Sequence, residues 1–111
     1  MVINRNNVFM TRGDSETIVV STTQDGAYVP LVEGDKITFT VRKSLDTPKL
    51  ISKTVETFDE GKAVIAIDPV DTNSLLFGEY VYDIQLTRAD GRVKTIVKPS
   101  MFVLRGEVSY E

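Results

Sequence analysis

The residues that could do chemistry in this chain are hydroxyls and carboxylates without the partners that would activate them. Ser15, Ser21, Ser44 and Ser74 carry candidate nucleophiles, but the sequence has no histidine to take their proton. No G-x-S-x-G elbow surrounds a serine, and no glycine-rich phosphate loop is present. The lack of histidine also removes the commonest general base and the commonest zinc ligand. Asp59, Glu60, Asp68 and Asp71 could in principle gather oxygen ligands around calcium, yet the D-x-[DN]-x-[DN]-G spacing is missing, so they read as solvated turn residues. Without cysteine there is neither a thiolate metal site nor a disulfide framework. The sequence therefore assigns no catalytic residue, no metal and no cofactor, and the expectation is a protein that is not an enzyme.

Three other features could recognise something. Arg12-Gly13-Asp14 is the tripeptide that integrins read from a presented loop, but three residues recur by chance, and a turn with Gly13 at its flexible position is the stronger reading. Tyr28, Phe58 and Tyr110 fall outside the clearest alternation and could offer rings to a sugar. Tyr80, just after Gly78, stands where immunoglobulin-like sandwiches place a corner tyrosine whose hydroxyl bonds an upstream backbone group. A buried phenol needs such a partner, and the crossover before Tyr80 carries backbone groups that need one too.

The elements that must position these residues are strands. Turn signals recur about every ten residues, the spacing of a sandwich or barrel. Residues 8–10 make a first run, closed by the Arg12-Gly13-Asp14 turn, and 16–23 form one strand rich in β-branched side chains. Asp25-Gly26 suits a tight hairpin into 27–32, which Pro30 confines to an edge. In 36–42, Ile37, Phe39 and Val41 share a face; in 79–87, Tyr80, Tyr82, Ile84 and Leu86 do, which makes the latter the central strand. Residues 50–57 read as a strand whose alternation Lys53 interrupts, and 63–67 as a core strand through Ile65 and Ile67. Residues 70–77 lack a period of two and read as a crossover with at most one helical turn. Asp90-Gly91 returns the chain through 92–98, and Pro99 breaks that run before 101–104 and 107–110. The fold class is all-β: one domain over 1–111, an immunoglobulin-like antiparallel β-sandwich of about seven to nine strands.

At 111 residues the chain can bury a core without staples. A net charge of −3 disfavours a nucleic-acid partner, which would ordinarily meet a basic stripe. Residues 1–10 hold no signal-peptide stretch and no run is long enough to insert in a membrane, so work outside a cell would need another exit, such as host lysis.

The segments 9–14, 34–43 and 78–87, with Asp90-Gly91 and Thr95-Ile96 after them, resemble the N-terminal domain of phage baseplate upper proteins, found in phages and prophages of Gram-positive hosts. The likeness spans most of the chain, and its motifs are structural. It implies a tail or baseplate module, a virion component assembled in the host cytoplasm, acting by protein–protein docking on other tail proteins, with self-association also open. The exposed edge formed by Ala27, Tyr28, Val29 and Val32, or the terminal segments, would carry the docking. Relatives continue into a linker and further domains, so the receptor-binding part is expected on another chain. A stand-alone adhesion or carbohydrate-binding domain is the alternative, and a hydrolase would need a carboxylate pair in a cleft.

Overall fold

The computed structural model describes residues 1–106. The strands are β1 (Val2–Asn4), β2 (Asn7–Thr11), β3 (Glu16–Val20), β4 (Thr22–Gln24), β5 (Ala27–Val29), β6 (Lys36–Arg42), β7 (Lys49–Val55), β8 (Ala63–Ile67), β9 (Gly78–Thr87) and β10 (Val93–Arg105), with helix α1 (Pro69–Asn73) between β8 and β9. A six-stranded sheet runs β1-β2-β10-β9-β6-β7, and β3 pairs with β8 in a second layer. The fold is an all-β sandwich in which the six-stranded sheet faces the β3-β8 pair. Among the described residues the strand pairings are antiparallel except β2 with β10, which is parallel.

Alternation drives the packing. Ile37, Phe39 and Val41 of β6 and Tyr80, Tyr82, Ile84 and Leu86 of β9 are all buried, as are Ile18, Val20, Ala63, Ile65 and Ile67 from the opposing layer. At the centre Phe39, Tyr82 and Phe102 pack with ring centroids 5.4, 6.1 and 6.3 Å apart. Tilted and edge-on rings of this kind add to the area they bury.

Several elements differ from expectation, each for a local reason. The described residues form ten strands against the expected seven to nine: β1 is a three-residue strand that sequence alternation cannot register, and β4 is a separate short strand. The expected strand 16–23 divides at Ser21: β3 belongs to the second layer, and β4 leaves it to pair with β5. The segment 27–32 is a strand only through Val29; Pro30 ends it, Leu31 turns into the core, and the Leu31 N–H donates to the Gly61 carbonyl at 2.9 Å. Pro99 does not break the last run. It lies within β10 where the register with β9 shifts between Val97 and Ser100, and a bulge is where a strand tolerates a residue without an N–H. Residues 50–57 shorten to β7 at Val55. Lys53 is out of pattern because it lies beside core-facing Phe39 and spans to α1, its ammonium 2.8 Å from Asp71. The expected strand at 107–110 lies outside the described residues.

Candidate docking surface

Tyr80 follows Gly78 at the start of β9, and its hydroxyl donates to the Leu76 carbonyl at 2.7 Å. The phenol is buried and bonds the backbone four residues upstream, which ties the crossover from β8 to the edge of the strand it feeds. Gly78 has φ of 140°, a conformation that suits glycine where the crossover turns into β9. Tyr82, the next inward ring, donates to the Asn6 carbonyl and so pins the turn between β1 and β2; burial pushes its pKa up.

The carboxylates do not converge. Asp71 is drawn two ways: partial burial raises its pKa, but the Lys53 ammonium and the Asp68 N–H, 2.8 Å away, outweigh that and hold it below the usual aspartate value. Asp59 and Lys62 close the tight turn at Glu60-Gly61. Asp35 is buried, where it accepts from Arg88 at 2.9 Å and from the Val32 N–H at 3.1 Å. A shallow depression of about 710 Å³ beside it is lined by Val32, Arg88, Arg92 and Lys94. The described residues include no group of three or more acidic side chains set to hold a metal ion. Among the described residues no helix is long and apolar enough to cross a membrane.

The Arg12-Gly13-Asp14 turn is folded back on the body. The Gly13 N–H donates to buried Thr72 at 2.9 Å, and the Arg12 guanidinium stacks on Phe77 at 4.3 Å while donating to the Leu75 carbonyl. Of the candidate sugar-facing rings, Tyr28 is half-exposed with its hydroxyl spent on the Glu60 carbonyl at 2.8 Å, Phe58 packs against the core, and Tyr110 lies outside the described residues. The proposed edge is thus partly occupied: Ala27 and Tyr28 are exposed, the Val29 carbonyl accepts from Thr22, and the turn at Gly61 lies against Tyr28 and Pro30. Val32 is exposed at the rim of the Arg88 depression.

A larger surface was missed by reading strands one at a time. On the outer face of the six-stranded sheet, Val2 lies opposite Phe9, Phe9 beside Val103, and Met101 beside Val81. Five apolar residues from four strands adjoin there, whereas farther along the same face β9 and β6 present Asp83, Gln85, Thr38 and Thr40. The Arg105 guanidinium covers Phe9 at 5.2 Å, and Arg42 and Asp83 flank Val81; the Lys43 ammonium lies on the other side of the sheet, over the core-facing Tyr80 ring at 4.7 Å. Beyond β1 the sheet ends in an open edge among the described residues. The signal was present in the sequence as apolar residues at the polar positions of their alternation, Phe9 between Val8 and Met10 and Val103 between Phe102 and Leu104. It becomes a patch only when the parallel pairing of β2 with β10 is known. No family model, no curated protein and no solved structure matches the chain.

Proposed function

We propose that this protein is a structural module of a phage or prophage tail that acts by docking on other tail or baseplate proteins through the outer face of its six-stranded sheet. The observation that carries the docking is the adjoining row of Val2, Phe9, Val81, Met101 and Val103 on a face that would otherwise be polar. Aromatic, methionine and arginine side chains are enriched at protein interfaces, and Phe9, Met101 and Arg105 bring all three together. The open edge at β1 adds backbone groups that a neighbouring strand can meet. The tail assignment rests on the resemblance of segments 9–14, 34–43 and 78–87 to baseplate upper protein N-terminal domains. Its test is a protein inventory of purified phage particles from a producing host. Recovery of the chain at a fixed ratio to other tail proteins is the expected result, and its absence from intact particles counts against the tail role.

A further inference from the structure

We infer that the protein carries a second site, apart from the docking face: the depression beside Asp35 binds a small organic monoanion, a carboxylate on an apolar body. The alternation of β9 and β10 builds it. Leu86 faces the core, so Arg88, two residues on, continues the same face. Lys94 lies opposite Leu86, and Arg92 lies opposite Arg88, the Arg88 N–H donating to the Arg92 carbonyl at 2.8 Å. Three cations thereby share one side of the hairpin, and all three line the depression of about 710 Å³. Its apolar wall comes from Val32, Ala89 and Val93. The docking face is on the other side of the sheet, at the start of β9 rather than its end.

The acids that line the depression are already engaged. Asp35 is 2% exposed, and one of its oxygens accepts from Arg88 at 2.9 Å and from the Val32 N–H at 3.1 Å, so it holds the guanidinium in place. Asp90 accepts the Arg92 backbone N–H at 3.0 Å with one oxygen, and its other lies 3.5 Å from the Arg92 Nε. Lys94 has no ion-pair partner among the described residues. Glu33 and Asp25, the other acids of the neighbouring loops, are exposed and do not line the depression. Three cations against two carboxylates leave one positive charge here, in a chain whose net charge is −3. A single carboxylate balances that charge, and its planar oxygens suit the N–H edge of a guanidinium. Because Asp35 already orders Arg88, less entropy is lost on binding. Val32 and Val93 are exposed beside the cations, and an apolar body on the ligand would take their surface out of water.

Three probes titrated into the isotope-labelled protein and followed by NMR test this: phenylbutyrate, which has both the anion and the apolar body; acetate, the anion alone; and phenylbutylamine, the same body on a cation. Phenylbutyrate is expected to shift the amide signals of Val32, Ala89, Val93 and Lys94 along a saturating curve. Acetate is expected to bind at least about tenfold more weakly because it leaves the apolar wall uncovered. The amine is expected to leave these signals unmoved. Lys94→Glu should weaken phenylbutyrate binding at least about fivefold, whereas Lys94→Arg should retain it. Lys94 is exposed and outside the core, so neither change disturbs the fold. No saturating response to phenylbutyrate, an equal response to acetate or to the amine, shifts confined to another face, or unchanged affinity in Lys94→Glu would each overturn the inference. The probe titrations are read on the unaltered protein, so they decide the matter even if a variant misfolds. Docking through the outer face is independent of all these outcomes.

Discussion

At the residue scale, two side chains outside the docking face hold the crossover in place, and each makes a measurable prediction. Tyr80→Phe removes one hydrogen bond to Leu76 while leaving the ring for Lys43, so stability should fall by about 1 kcal/mol in chemical denaturation. An unchanged midpoint would mean that the bond contributes nothing net. Asp71 has a folded-state pKa below its unfolded value, so its stabilising contribution is present at neutral pH and is lost as pH falls through the folded value. Asp71→Asn should therefore lower the melting temperature at pH 7, with the gap to the unaltered protein closing as pH drops below about 4. A gap that stays constant across that range would remove Lys53–Asp71 from the account. The candidate role of Tyr80 was legible from a buried phenol next to Gly78. The Lys53–Asp71 pair was not, because an interrupted alternation says that a residue is out of place without saying what it reaches.

At the scale of elements, tight turns fix the register, and their glycines are not equivalent. Residues Asp25-Gly26 and Glu60-Gly61 both have positive φ, with values of 53° and 81° in the first turn and 51° and 78° in the second. This is the two-residue hairpin geometry that matches strand twist. An added methyl group at Gly26 meets nothing within 4 Å, whereas at Gly61 it would stand 2.6 Å from Pro30 and 2.7 Å from the Tyr28 hydroxyl. Gly26→Ala should cost about 1 kcal/mol through the backbone alone, and Gly61→Ala at least about 1 kcal/mol more because packed atoms must move. Equal losses in parallel denaturation curves would contradict that ranking. Most strands were legible because alternation in 36–42 and 79–87 reports a buried face directly. The turn at Arg5-Asn6 was not, since arginine at positive φ has no sequence signature. The course of β10 through Pro99 was also hidden, because a proline at a bulge and a proline ending a strand look alike in sequence.

At the scale of the whole molecule, a sandwich of this size has two outer faces, and their chemistry differs along their length. The core is shared by both layers and accounts for the fold. The outer face of the larger sheet changes from polar at its β6–β9 centre to apolar where β1, β2 and β10 adjoin. Neither periodicity nor composition could show this, since the patch depends on which strands neighbour one another and includes a parallel pairing between residues more than ninety positions apart, Val8 with Phe102. The edge at 27–32, which the sequence marks through Pro30, is partly covered by the Gly61 turn and offers less open backbone than its residues suggest. The most direct test replaces the exposed residues Val2 and Met101 together by glutamate and follows incorporation of the chain into purified phage particles. Neither side chain is in the core, so the denaturation midpoint should stay within about 0.5 kcal/mol of the original. Incorporation is predicted to fall at least about tenfold, whereas full incorporation of the folded variant would contradict docking through this face.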